Sequence, residues 1–181
     1  MLKLHAPRLI LREHRMDDLP THHALFSDAK VMRYLPELMT HSCLESEKNL
    51  RDSIAQLAVV PRKCCFLRIE ERDTGAHVGE IGYTIEKTTP LGTFANMGYF
   101  IWDTYWGRGY TAEAARALMR HGFEEDGVYR FSAGCLKENV GSERVMIKCG
   151  MIKEAEFVEY QWHEGQLKDR VEYRLLKGEW I

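Results

Sequence analysis

The residues best suited to chemistry lie in a glycine loop, Trp-Gly-Arg-Gly-Tyr-Thr, at positions 106–111. Glycines let successive backbone N–H groups turn toward one point, and a helix beginning at Thr111 would add roughly half a positive charge there. Arg108 could add a further contact to phosphate. The loop predicts an anion site with a pyrophosphate-bearing ligand as its natural occupant, although a tight loop without a ligand can have the same sequence.

Two familiar phosphate-binding motifs are excluded at this loop. The dinucleotide-binding pattern Gly-x-Gly-x-x-Gly needs a third glycine, and that position is Ala112. A P-loop needs Gly-Lys-Ser or Gly-Lys-Thr, and Gly109 is followed by Tyr110. Taken alone, the loop therefore indicates a phosphate site without naming the cofactor.

A strand before the loop and a helix after it must hold these residues in place. Residues 98–102 are strand-like, and after Thr111 the apolar side chains recur on one helical face as far as Phe123. Elsewhere the patterns predict strands over 8–12, 65–70, 81–85, 94–102, 129–136, 152–162 and 168–176, and helices over 17–26, from 42 to before Pro61, and over 141–149. This order predicts an α/β fold, with about seven strands in a mixed sheet and about four flanking helices.

The bulk composition is that of one ordinary globular domain, residues 1–181. Lys and Arg total 25 against 27 for Asp and Glu, so we expect neither nucleic acid nor a membrane as a partner. We expect no secretory signal and no membrane helix, because apolar runs stay well short of ~20 residues. Five cysteines without a Cys-x-x-Cys pair favour free thiols in the cytoplasm, and we expect no metal site.

Residues 98–114 resemble the acetyl-CoA signature of the GNAT superfamily. More narrowly, they resemble its RimJ/RimL-like branch, which acetylates protein N-termini, ribosomal proteins among them. Four other segments resemble this branch in order: its opening strand (8–12), its next helix (31–36), its central strand (77–83), and its Asn-x-x-Ser motif before a Lys-x-Gly helix end (139–151). The resemblance covers nearly the whole chain and implies an acetyl-CoA-dependent N-acetyltransferase.

The resemblance also implies where acetyl-CoA, the co-substrate, would bind. In this family two adjacent parallel strands splay apart, here 98–102 and the strand ending near Leu136, and the pantetheine arm lies in the gap. The expected cofactor-binding residues belong to the first strand, the loop and the Asn-x-x-Ser motif: Phe100, Ile101, Trp102, Trp106, Gly107, Arg108, Gly109, Tyr110, Thr111 and Asn139. Asn139 is also a natural helix N-cap, which is its purely structural interpretation.

The reaction implied by the resemblance is direct attack of an amine on the thioester, with a backbone N–H near Ile101 as the oxyanion donor. Ser142 matches the residue proposed to protonate the departing thiolate, and Met146 excludes the tyrosine that many relatives place there. Glu80 lies on the strand face that could meet the cleft and is the candidate base, unless it is a solvated carboxylate. Asn96 stands where the branch often has a glutamate and cannot accept a proton.

The identity of the acceptor is left open between three hypotheses: a protein N-terminal α-amine, a small amine (polyamine, amino acid or antibiotic), and an acyl-CoA-binding module without catalysis. The missing glutamate favours the α-amine, because a pKa of about 8 leaves part of it neutral, whereas a lysine has a pKa of about 10.4. Arg33 and Tyr34, with Trp162 and His163 in the last hairpin, are candidates for the acceptor entrance. The family also implies a possible homodimer.

Overall fold

A computed structural model describes residues 2–180, which form one eight-stranded sheet and four α-helices. The strands are β1 (Lys3–His5), β2 (Leu9–Arg12), β3 (Cys64–Glu71), β4 (His77–Thr89), β5 (Gly92–Ile101), β6 (Val128–Leu136), β7 (Ile152–His163) and β8 (Gln166–Leu176). The helices are α1 (Leu19–Phe26), α2 (Cys43–Ala55), α3 (Tyr110–Glu124) and α4 (Val140–Lys148). The expected mixed α/β fold is confirmed, with eight strands where about seven were expected.

The sheet contains one parallel pair, and this pair opens into a gap. The strand order is β1-β2-β3-β4-β5-β6-β8-β7, and β5 and β6 are the parallel neighbours. They pair from Thr93 opposite Val128 to Asn96 opposite Ser132. Beyond that point β5 continues to Ile101 and β6 to Leu136 with no recorded pairing between them in the described chain. The splay expected from the sequence is therefore present.

The helices cover opposite faces of the sheet. The apolar face of α3, including Leu118 and Met119, is fully buried in the larger core cluster. On the other face, α1 supplies a smaller cluster in which the ring of Phe26 lies 5.0 Å from that of Phe100. Successive residues of a strand alternate between faces, so Ile101 joins the α3 core while Phe100 packs on α1. Within residues 2–180, no helix is long and apolar enough to cross a membrane.

The helix expected over 31–36 is wrong. This segment is a turn, followed by a short 3-10 helix at Pro36–Leu38. The Asp28 carboxylate accepts hydrogen bonds of 2.9 Å from the N–H groups of Lys30 and Val31, which bends the chain locally. The residue before a proline is also held away from the helical region, so Pro36 prevents Leu35 from continuing a helix.

A buried ion pair joins the start of α1 to the sheet. Arg12 of β2 donates two hydrogen bonds to the carboxylate of Asp18, at 2.9 and 2.6 Å. Asp18 is 5% exposed and also accepts a bond from the Arg15 N–H. Burial alone would raise the pKa of Asp18, but these hydrogen bonds bring it down to about 2. The charged form of Asp18 is therefore part of the folded structure.

We expect Asp18→Asn to lower the free energy of unfolding at neutral pH by about 2.5 kcal/mol. The folded pKa of Asp18 is depressed, so its contribution is complete above the unfolded pKa of about 4 and is lost as pH falls toward 2. Urea unfolding of both proteins at about pH 7 and about pH 2.5 measures this. The difference between the two proteins should shrink at the lower pH, and equal stability at neutral pH would contradict the assignment.

Candidate active site

A cleft of about 610 Å³ opens where β5 and β6 separate. Its walls come from seven parts of the chain that the fold brings together. They are residues 96–101 of β5, 133–136 of β6, 138–142 with Val145 around the start of α4, the turn residues Trp106 and Gly107 with Thr111 of α3, the segment with Lys30, Val31, Tyr34, Leu35 and Glu37, Gln161 of β7, and Arg170 of β8. From Met97 to Ile101 the edge of β5 that faces β6 has no strand partner in the described chain. An extended ligand that carries amides can therefore pair with this edge.

The glycine loop contributes Trp106 and Gly107 to this cleft and has the backbone geometry expected of an anion site. Gly107 and Gly109 have φ values of +72° and +80°, and Gly109 is the N-cap of α3. A 15-residue helix that begins directly after left-handed glycines is an arrangement that commonly binds anions through its first N–H groups. The indole N–H of Trp106 donates to the carbonyl of Ile101 at 3.0 Å, which ties the loop to the end of β5.

An arginine that the sequence assigned only to the opening strand stands beside this loop. The guanidinium of Arg8 lies 4.3 Å from the ring centroid of Tyr110 and donates to the carbonyl of Arg108 at 3.1 Å. It also forms an ion pair of 2.7 Å with Glu113. Arg8 and Arg108 thus place two cations near the helix N-terminus. Nothing in the local sequence marks Arg8, because Glu113 is 105 residues away.

The expected cofactor residues fall into two groups. Six of them line the cleft: Phe100, Ile101, Trp106, Gly107, Thr111 and Asn139. The other four lie outside its lining: Trp102, Arg108, Gly109 and Tyr110. Trp102 packs against the α1 cluster, and the buried Tyr110 donates a 2.8 Å hydrogen bond to Glu71. Any contact of these four residues with the cofactor would come through their main chain or from the rim of the cleft.

Asn139 and Ser142 occupy the N-terminus of α4, at the wall of the cleft. The Asn139 side chain accepts a 3.2 Å hydrogen bond from the Ser142 N–H, so its structural role as N-cap is confirmed. The Ser142 hydroxyl lies 3.0 Å from the hydroxyl of Tyr99. Burial raises the pKa of Cys135, on the same wall, to about 11. Met146, at the position where many relatives have a tyrosine, is fully buried in the core. The hydroxyl of α4 that lines the cleft therefore belongs to Ser142.

Glu80 does not look into the cleft, so that expectation is wrong. The carboxylate is 2.7 Å from His22 Nδ1, 3.5 Å from His14 Nε2 and 4.0 Å from His77 Nε2, and Glu80 is 6% exposed. Burial alone would raise the pKa of Glu80, but the three histidines hold it below its usual range. Burial also lowers the pKa of His77 to about 4. Glu80 is a buried carboxylate that holds α1, through His22, against β4.

Asn96 stands at the point where the two strands part. Its side chain donates a 3.3 Å hydrogen bond to the hydroxyl of Ser132, the residue opposite it on β6. The Ser132 hydroxyl is 3.3 Å from the carbonyl of Ala95. This pair joins the two strands at the end of their ladder, where the branch's glutamate would otherwise lie. Within the cleft, Asn96 supplies an amide and no proton acceptor for an amine.

Contacts between the 31–37 segment and the β7–β8 hairpin lie beside the cleft, which Tyr34 lines. The ring of Tyr34 stacks on His163 with centroids 5.5 Å apart, and Arg33 forms a two-point ion pair with Glu164 at 3.1 Å. Trp162 is 69% exposed at the same hairpin. The four residues expected at the acceptor entrance therefore come from two segments that meet in space.

A model of the acetyltransferase (GNAT) domain matches residues 8–152, which run from β2 through α4 and carry the loop and both splayed strands. The chain belongs to the GNAT acetyltransferase family. Over 176 residues it is 32% identical to YnaD, an uncharacterized N-acetyltransferase of Bacillus subtilis (strain 168), with 96% of each chain covered. This acetyltransferase therefore takes its acetyl group from acetyl-CoA and transfers it to nitrogen.

Solved structures share the whole fold of this acetyltransferase. RimL, a ribosomal L7/L12 alpha-N-protein acetyltransferase in complex with coenzyme A, superposes with a TM-score of 0.84 at 20% identity, covering 97% and 98% of the two chains. The spermidine N-acetyltransferase of Vibrio cholerae, in complex with CoA and spermine, gives 0.81 at 18% identity, covering 95% and 97%. Similarity at this level shows the fold, and these two proteins act on different amines.

Proposed function

We propose that this acetyltransferase acetylates a protein N-terminal α-amine by direct attack on acetyl-CoA. The observation that carries the proposal is the absence of a proton-accepting side chain at the splay point, where the described chain has Asn96, while Glu80 is buried away from the cleft. Without a proton acceptor at the splay point, an amine that arrives neutral has the advantage. At neutral pH roughly a tenth of an α-amine is neutral, against less than a thousandth of a lysine side chain.

The charges along the cleft support the same class of acceptor. Two cations, Lys30 and Arg170, line it together with two carboxylates, Glu37 and Glu138. A site for a polyamine would need an excess of negative charge to bind several ammonium groups at once. The balanced lining instead suits a peptide, which carries one ammonium group and a neutral backbone. Supporting similarity comes from RimL, which acts on an alpha-N-protein acceptor.

A small amine is the second candidate, and one observation favours it. The Tyr34–His163 stack and the Arg33–Glu164 ion pair close part of the expected acceptor entrance. A peptide would need room between these contacts, whereas a small amine would pass with less rearrangement. The ion pair is exposed to solvent, which screens it, so it contributes little and opens readily. We therefore rank the peptide first.

In the proposed reaction, the main chain of β5 binds the pantetheine arm and the loop at 106–111 binds the pyrophosphate. Acetyl-CoA supplies an activated acetyl group. The N–H near Ile101 stabilises the negative charge that develops on the thioester oxygen, and Asn139 contacts the arm while capping α4. Ser142 donates its hydroxyl proton toward the departing sulfur. The amine loses its proton to water, because the cleft wall at Asn96 offers no acceptor.

Release of CoA thiol with different acceptors tests the proposed function. The panel contains short peptides with free N-termini, the same peptides with acetylated N-termini and an internal lysine, and spermidine. We expect turnover with the free α-amine and little with the blocked peptide. Turnover with spermidine alone would establish the small-amine alternative. Binding of acetyl-CoA without release from any acceptor would favour a binding module.

We expect Ser142→Ala to lower kcat about 30-fold and to leave the KM for acetyl-CoA nearly unchanged. General acids contribute roughly 10²–10⁴-fold, and a thiolate leaving group needs less help than an alkoxide or amide because thiols have a pKa of about 8.5. The main-chain N–H that Asn139 caps is retained in the variant. Ser132→Ala is the matched control, since Ser132 lies outside the cleft lining and its hydroxyl contacts the cleft only through Asn96. Equal kcat in both variants would exclude Ser142 as the acid.

A further inference from the structure

A tyrosine of β5 lies against the serine of α4 across the wall of the cleft. The Tyr99 hydroxyl oxygen is 3.0 Å from Ser142 Oγ and 3.0 Å from the main-chain carbonyl oxygen of Ser142. The two residues are 43 positions apart, and both line the cleft. The contact therefore joins the strand expected to hold the pantetheine arm to the helix that carries the proposed acid.

Two hydroxyl protons must be shared among three oxygens at this contact. A serine and a tyrosine hydroxyl each donate one hydrogen bond and can accept others. In one arrangement Tyr99 donates to the Ser142 carbonyl and Ser142 donates to Tyr99, so the serine proton points away from the cleft. In the other, Tyr99 donates to Ser142 Oγ and the serine proton is free to point into the cleft. Because both acceptors lie at 3.0 Å, rotation of the Tyr99 hydroxyl exchanges them at similar distance.

Other groups beside Ser142 are less suited to orient its hydroxyl proton. Asn139 accepts from the Ser142 main-chain N–H and not from its hydroxyl. Cys135 is a weak hydrogen-bond donor, and burial keeps its thiol protonated by raising its pKa to about 11. Burial also raises the pKa of Tyr99, so its phenol stays neutral and acts as a hydrogen-bond donor. Tyr99 is thus suited to orient the serine proton and unsuited to give up its own.

We propose that Tyr99 is a positioning residue for the leaving-group step, holding Ser142 Oγ so that the serine proton points at the thioester sulfur. This inference rests on the proposed function. As the amine nitrogen bonds to the carbonyl carbon, the C–S bond breaks and its electron pair goes to sulfur. The Ser142 hydroxyl donates to that sulfur while Tyr99 donates to Ser142 Oγ. Ser142 gives its proton to the CoA thiolate and regains one from water, which has taken a proton from the nitrogen, so the reaction balances with Ser142 and Tyr99 both unchanged.

Tyr99→Phe tests the proposal, with Tyr173→Phe as a matched control. Tyr173 also bonds α4, through a 2.8 Å contact to Glu143, but it lies outside the lining of the cleft. Each variant removes one tyrosine hydroxyl that touches the first turn of α4. We expect kcat to fall about tenfold for Tyr99→Phe while the KM for acetyl-CoA changes less than twofold. We expect Tyr173→Phe to keep the wild-type kcat.

The double variant Tyr99→Phe/Ser142→Ala distinguishes positioning from a separate effect. If Tyr99 acts through Ser142, the double variant is no slower than Ser142→Ala alone, because residues that act as a unit are not additive. Three results would each overturn the inference: a double variant whose loss of kcat is the product of the two single losses, a wild-type kcat in Tyr99→Phe, or an equal loss of kcat in Tyr173→Phe. In those three cases the wild type still turns over, so the proposed function stands. A wild type that binds acetyl-CoA without turnover would overturn the proposed function and this inference with it.

Discussion

Gly109→Val is expected to weaken acetyl-CoA binding by more than 100-fold. Gly109 has a φ of +80°, a region that costs an ordinary L-residue about 1–2 kcal/mol and a β-branched residue more. Valine would relax this strain by rotating the N-cap, which turns the first N–H groups of α3 away from the pyrophosphate. Each hydrogen bond to a charged group is worth about 1.5–3 kcal/mol, so the loss of two exceeds a factor of 100.

Gly75→Val is the matched control for this prediction. Gly75 has a φ of +71° in the turn between β3 and β4, and a Cβ there would meet no atom of residues 2–180 within 4 Å. The backbone strain is comparable, but the turn does not line the cleft. Calorimetric titration with acetyl-CoA should show wild-type affinity for Gly75→Val and a large loss for Gly109→Val. Equal affinities in the two variants would remove the loop from the proposed cofactor site.

Elements with strong local signals could be predicted from the sequence. The loop glycines, the apolar face of α3 and the alternation before the loop all lie within residues 98–123, and the structure places β5 and α3 there. The Ser42 capping box also begins α2 as expected, with the Ser42 side chain accepting from the Glu45 N–H. β1 escaped prediction because three residues, Lys3–His5, are too few to show alternation.

Features that depend on contacts between distant segments could not be predicted. Alternation placed Glu80 on the face opposite Ile81, and this was right, but alternation does not say what covers that face. His22 comes from a helix 58 residues earlier and closes over the carboxylate. The helix predicted over 31–36 from the family resemblance was wrong, because Asp28 and Pro36 favour a turn in this segment. Roles in binding and catalysis stay predictions, because proximity to the cleft does not measure them.

The position of Glu80 makes it a stability residue in our second large prediction. We expect Glu80→Ala to lower the free energy of unfolding by about 3–4 kcal/mol. The variant removes a hydrogen bond to a buried charged group and leaves His22 Nδ1 without its 2.7 Å partner. It also removes the carboxylate that lies 3.5 Å from His14 Nε2. Urea denaturation at neutral pH measures the loss.

Glu80→Gln separates this structural role from the role of general base that the sequence suggested. Glutamine keeps the volume and one acceptor oxygen for His22, so we expect a smaller loss of stability, about 1–2 kcal/mol. It cannot take a proton at neutral pH. With Glu80 buried beneath α1 and outside the cleft lining, kcat of the folded variant should stay within about threefold of wild type. A variant with wild-type stability and a kcat reduced 100-fold or more would instead make Glu80 the base, and the amine would then reach it only after α1 moves.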